Sequence, residues 1–201
     1  MTLGWEDIRT DVLRRIRSRE WPPGALIPGE ETLAAEFGVK VGYNGADLMK
    51  AAGLDMPAAP TWDFIKQAAE KMTDKSKEQY GICLRGKAGW GENMAFLTAM
   101  SNSYGARWFD ENWKPQFDQP EWKATLDSYL HLMNEYGPPG ASNNGFNENL
   151  TLFQQGHCGM WIDATVAASF VTGKDSTVAD KVGFALAPDN GLGKRGNWLW
   201  A

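Results

Sequence analysis

The chain has 201 residues, 43% of them hydrophobic, ten tryptophans and a formal net charge of −5. That length suits one or two domains; no run of about 18 apolar residues is present to span a bilayer, and the acidic balance argues against a chain-wide nucleic-acid footprint. The opening residues lack the basic, then apolar, then small-residue pattern of an export signal, so the chain as written reads as cytoplasmic.

Residues 1–40 read as a unit of their own. Five arginines fall between positions 5 and 20. Trp5, Ile8, Val12, Leu13 and Ile16 recur at helical spacing, which predicts an amphipathic helix over 4–19. Trp21-Pro22-Pro23-Gly24 breaks it, and Leu33, Ala34 and Phe37 mark a second helix that ends at Gly38-Val39. The wording WPPGALIPGEETLAAEFGV resembles the start of the winged helix-turn-helix domain of GntR-type regulators, with Gly29 where that family usually has a serine N-cap. The resemblance implies a ligand-responsive DNA-binding regulator, whose next helix would carry arginines into the major groove. Here Lys40-Val41-Gly42-Tyr43-Asn44-Gly45 follows instead. Two glycines disfavour a helix by about 1 kcal/mol each, and the arginines and the β-hairpin wing are missing, which weighs against DNA binding. The plainer alternative is a pair of helices packed on the next domain.

From Tyr43 the pattern changes. A short helix closes at Gly53, and Pro57 and Pro60 stiffen a connector. Thr61 suits the N-cap of a helix over 62–72, with Trp62, Ile65, Ala69 and Met72 as its buried stripe and Asp63 favouring its dipole. Residues 80–84 read as a buried strand. The loop after it holds Arg85, Trp90, Glu92 and Asn93 among three glycines. Arg and Glu supply paired donors and acceptors for hydroxyl groups, and an indole supplies a flat face for C–H surfaces. The alternative is a surface ion pair of Arg85 with Glu92 and a packed Trp90. The glycine spacing does not match a phosphate loop.

Residues 94–104 form a predicted helix, with Phe96, Leu97 and Met100 buried and Gly105 as its stop. A hairpin is predicted over 108–117. Asp118 is the expected cap of a helix over 119–136, with Trp122, Leu126, Leu130 and Met133 facing the core, and Gly137-Pro138-Pro139-Gly140 ends it. His131 is expected on a solvated face and His157 in a turn; their spacing offers no metal site. Cys83 and Cys158 set no disulfide framework and are expected as buried thiols.

The stretch 146–166 organises the rest. Asn147 and Asn149 suit a helix start, Leu150 and Phe153 share a face, and Gly156 fits the left-handed position after a helix. Residues 158–162 then form a buried strand that ends at Asp163. A carboxylate at the C-terminal end of such a strand lies where open α/β sheets hold ligands, and it also suits a helix cap. A small-residue helix over 166–171, a strand over 182–188 and a loop over 189–195 follow. Residues 197–200 begin a further strand, with Trp198 as a stacking candidate and Trp200 divided between that role and the core.

Phe153, Gly156 and Met160 stand in an F-x-x-G-x-x-x-M pattern that resembles the solute-binding proteins of bacterial ABC importers. The words RGKAGWGENMAF and GFNENLTLFQQGHCGMWIDATVAASF are similar to the branch that binds sorbitol, mannitol and related polyols. The resemblance implies an α/β fold, one lobe of the periplasmic-binding-protein type II class, behind a short all-α helix-turn-helix-like appendage. It implies binding of a sugar or sugar alcohol by Arg85, Trp90, Glu92, Asn93, Asp163 and Trp198, an ABC-transporter permease as partner, a periplasmic or extracellular location, and no cofactor or membrane insertion. The chain thus reads as two partial domains, 1–40 and 41–201, in a chimera or fragment. A glycosidase using Glu92 and Asp163 is the enzymatic alternative; no accompanying motif supports it, and the expectation is a protein that is not an enzyme.

Overall fold

In the computed structural model, which describes Arg14, Arg15, Arg17, Ser18 and residues 40–196, the sheet is centred on β1, Lys40–Asn44. Arg14, Arg15 and Arg17 are helical, within the expected helix over 4–19; the rest of that helix, the second helix marked by Leu33, Ala34 and Phe37, the helix-turn-helix reading built on them, and the strand over 197–200 lie outside the described residues. β1 runs antiparallel to β2, Met160–Asp163, on one side and to β3, Val182–Leu186, on the other. Residues 80–84 lie along the outer edge of β2 and parallel to it, bridging at Tyr80–Cys158 and Cys83–Trp161. The Tyr80 N–H donates to the His157 carbonyl and the Cys83 N–H to the Met160 carbonyl, both at 2.8 Å. The three strands pair only antiparallel, and 80–84, expected as a strand, adds only these two isolated parallel bridges at the edge of β2. Lys40, the last residue of the expected first domain, is the first residue of the central strand.

Side chains alternate across this sheet, as a period of two requires. Ile82, Leu84, Met160, Ile162, Val41 and Ala185 pack on one face in the larger core. Cys83, Trp161 and Phe184 turn to the other, against Phe153, Val171 and Val178. A strand covered on both faces reads as a continuous apolar run, which is why 158–162 shows no polar alternation. Cys83 and Cys158 share that second face with Cα atoms 5.9 Å apart, and they form a disulfide. The expectation of two buried thiols is thus corrected. Gly183 is required by a close approach: a Cβ there would fall 2.4 Å from the ring of Tyr43, its partner across the strands.

Helix α1, Trp62–Met72, starts as predicted, with the Thr61 hydroxyl accepting the Phe64 N–H at 3.2 Å. Trp62, Ile65, Ala69 and Met72 are buried, joined by Ala68. Helix α2, Asn93–Tyr104, stops at Gly105, whose φ is 78°. Helix α3, Pro120–Tyr136, departs from the sequence reading in two ways. Gln119, not Asp118, is its cap, with Pro120 in the first turn, where a missing N–H costs nothing. Its buried stripe is Trp122, Thr125, Tyr129, Leu132 and Met133, while Leu126 and Leu130 are exposed. His131 is half-buried, its ring edge-on to Tyr136 at 5.4 Å, rather than solvated.

Helix α4, Phe146–Gln154, ends in paired reverse bonds: Gly156 N–H to Phe153 C=O and His157 N–H to Leu152 C=O, both at 3.0 Å. Gly156 has φ of 84°, the left-handed conformation that this ending needs. Helix α5, Ala167–Val171, follows β2. Among the described residues no helix is long and apolar enough to cross a membrane.

Candidate functional site

Asp163 closes β2, and Arg85 follows the parallel segment 80–84, so both stand at the C-terminal ends of adjacent parallel segments. They meet in a fork. Arg85 Nε donates to Asp163 Oδ2 at 2.8 Å, and Nη2 donates to Oδ1 at 2.5 Å. The third nitrogen, Nη1, donates to the Gly91 carbonyl at 2.6 Å and lies 3.6 Å from Glu92 Oε2. The guanidinium sits 5.1 Å above the Phe146 ring. Burial pulls the Arg85 pKa down, but the hydrogen bonds and charge of Asp163, with the charge of Glu92, outweigh it and hold the group above its usual value.

The surroundings are braced. The Tyr129 hydroxyl donates to the Arg85 carbonyl at 2.7 Å, and burial pushes its pKa up to about 12, so it stays a donor. Asp163 Oδ1 accepts the Ala164 N–H at 2.7 Å, which turns the chain out of the strand. Glu92 Oε2 accepts the Phe146 N–H at 3.1 Å, and Glu148 Oε2 accepts the Gly145 N–H at 2.8 Å, so two carboxylates satisfy donors at the start of α4. These carboxylates do the capping that the sequence reading gave to Asn147 and Asn149. Asn149 is instead fully buried.

Of the six expected ligand residues, Arg85, Glu92 and Asp163 come together. Arg85 pairs mainly with the buried Asp163 and only at longer range with Glu92, so a simple surface pair with Glu92 is ruled out. Asn93 is turned back on its own loop, accepting the Gly89 N–H at 3.2 Å. Trp90 is 73% exposed on that loop. Trp198 lies outside the described residues. Glu92 and Asp163 both face one guanidinium rather than an open space between them, which is not how paired carboxylates flank a glycosidic bond.

One small space adjoins the pair, and a larger groove shares the lining residue Ala95 with it. A cavity of about 20 Å³ is bounded by Arg85, Ala95, Phe96, Ala99, Ile162 and Asp163, room for about one water. A groove of about 450 Å³ is lined by Gly89, Trp90, Met94, Ala95, Thr98 and Trp108. Trp108 carries no ligand signal in the sequence, where it reads only as a hairpin residue.

Comparison with known proteins adds to this geometry. The family described as bacterial extracellular solute-binding protein matches residues 33–201, a span that begins within the segment read as helix-turn-helix. The chain is 54% identical over 160 residues to the mannitol-binding protein of Pseudomonas aeruginosa, covering 79% of this chain and 37% of that protein. It is similar to the crystal structure of an ABC transporter solute binding protein from Agrobacterium vitis S4 with bound D-mannitol. There the identity is 77% and the TM-score 0.80, over 82% of this chain and 39% of that one. A solute binding protein from Agrobacterium radiobacter K84 in complex with ribitol gives 32% and 0.68, over 80% of this chain and 40% of that one. The chain therefore spans between 37% and 40% of the length of these relatives.

Proposed function

The chain belongs to the bacterial extracellular solute-binding proteins, and we propose that it binds a sugar alcohol for delivery to an ABC importer, without catalysis. The observation that carries this reading is the Arg85–Asp163 fork at the strand ends, with the Glu92 carboxylate beside it. A polyol offers hydroxyls that both donate and accept. Carboxylates accept from them and a guanidinium donates to them. Because Arg85 and Asp163 largely neutralise each other, the site offers hydrogen bonds without demanding a charged ligand. Relatives that hold D-mannitol and ribitol support the same class.

In this reading Asp163, Arg85 and Glu92 contact hydroxyls, Trp90 offers a ring to C–H faces, and Asn93 keeps the loop in shape. Residues 40–196 act as one lobe, and the further length of the relatives supplies the rest of the cleft. The permease of an importer is the partner. The buried Cys83–Cys158 disulfide favours an oxidising, extracytoplasmic setting over the cytoplasmic one expected from the opening residues. The DNA-binding alternative draws no support from the described residues, and the family match already begins at residue 33.

The test is titration calorimetry of the chain with D-mannitol, D-sorbitol, ribitol, maltose and glucose. Saturable heat with an acyclic polyol, lost in Asp163→Asn, supports the reading. Saturation by none of them contradicts it.

A further inference from the structure

We propose that the groove between Trp90 and Trp108 seats the carbon chain of the ligand, and that Thr98 and Trp108 decide which chains fit; this rests on the polyol-binding reading above. Volume separates the two spaces. The cavity against Arg85 and Asp163, about 20 Å³, holds about one water and no polyol. The groove, about 450 Å³, falls in the range of small-molecule sites. The two share a lining residue, Ala95.

Helix geometry explains the shared wall. At about 100° per residue, Met94, Ala95 and Thr98 share one facet of α2, while Ala95, Phe96 and Ala99 share the next. In the proposal the ligand's carbon chain lies against Trp90 and Trp108, and its hydroxyls reach past Ala95 toward the charged fork. The groove walls suit C–H surface. The Thr98 hydroxyl is already committed to the Met94 carbonyl at 2.7 Å, so it makes no polar demand on the ligand.

Trp108 is a preformed platform. Its ring packs edge-on against Phe117 at 5.5 Å and Trp122 at 5.0 Å. Trp122 is itself fixed by its Nε1 donating to the Arg107 carbonyl at 2.7 Å. A ring held in place before binding loses little entropy on binding.

The experiment is calorimetric titration of the full chain with D-mannitol and ribitol in four forms: wild type, Thr98→Phe, Trp108→Phe and Asp163→Asn. Thr98→Phe fills the groove and spares the Trp108 packing; it should weaken D-mannitol binding by about ten-fold or more. Trp108→Phe keeps a ring against Phe117 and Trp122 and should weaken it by about three-fold or more. Thermal midpoints close to wild type establish that both variants fold. If both bind D-mannitol as wild type does while Asp163→Asn does not bind, the groove assignment is overturned and the polyol reading stands. If wild type binds neither polyol, both fall.

Discussion

Arg85 and Asp163, 78 residues apart in the chain, meet through two parallel hydrogen bonds with side chains only 10% and 4% exposed. Such a pair ties the loop of residues 85–93 to the end of β2. Removing one partner strands a buried charge, so Asp163→Ala should lower stability by roughly 3–5 kcal/mol. Replacing both, Arg85→Met with Asp163→Leu, should recover most of that loss and none of the polyol binding. Urea unfolding with unchanged m-values measures the first, and calorimetry the second.

The Cys83–Cys158 disulfide closes a sequence separation of 75 residues. In the chain-entropy account, Cys83→Ala with Cys158→Ala should cost roughly 4 kcal/mol. Both sulfurs belong to residues with no exposure. A reductant should therefore act only as the protein unfolds, leaving ligand binding at room temperature unchanged. Loss of binding on mild reduction of the folded protein would contradict this placement.

Tyr129 sets an alkaline limit. Its phenol is raised from 10.0 to about 12 by burial. The folded state therefore prefers the neutral form. Between the two values the folded state holds a proton that the unfolded chain has released, so the contribution is fully present below the ordinary value and is lost as pH rises from there through the folded value. Stability should fall by roughly 2–3 kcal/mol across that window. Tyr129→Phe should lack this fall while losing about 1 kcal/mol at neutral pH from the bond to the Arg85 carbonyl. Urea midpoints of both proteins at pH values on either side of the window measure the difference.

Gly145 gives Glu92 its place. A Cβ at Gly145 would stand 2.6 Å from Glu92 Oε2. Gly145→Ala should push that carboxylate off the Phe146 N–H and away from Arg85, at about 1 kcal/mol, and weaken polyol binding. In a Glu92→Ala background the same substitution should add little. A double-mutant cycle on melting and on affinity reads the coupling.

Much of the lobe was legible in the sequence because local signals carried it. Thr61 and the spacing of Trp62, Ile65, Ala69 and Met72 specify α1 without help from elsewhere. Gly105 and Gly156 mark helix ends that only a left-handed residue makes easily. What stayed hidden depends on neighbours distant in the chain. β1 is short and carries Gly42, and its central position exists only because β2 and β3 pair with it on both sides. The apolar spacing of α3 points one facet away from its buried stripe, since Leu126 and Leu130 are exposed while Thr125 is buried with its hydroxyl donating to the Glu121 carbonyl at 2.8 Å. The disulfide needed the parallel pairing of 80–84 with β2, which cysteine spacing alone does not reveal.

The site divides in the same way. Arg85, Glu92 and Asp163 could be singled out because charges at the ends of apolar strands are conspicuous. That Arg85 binds Asp163 in a fork, and that Trp108 stands over the adjoining groove, follow from the packing of the hairpin on α2 and α3.

The most direct test of polyol binding is the thermal midpoint of the chain, alone and with millimolar D-mannitol. A ligand that binds only the folded state stabilises it by about 2.7 kcal/mol at one hundred times its dissociation constant. The expected result is a midpoint that rises with D-mannitol concentration and does not rise in Asp163→Asn. A cooperative transition that D-mannitol, D-sorbitol and ribitol all leave unmoved would contradict polyol binding by this lobe.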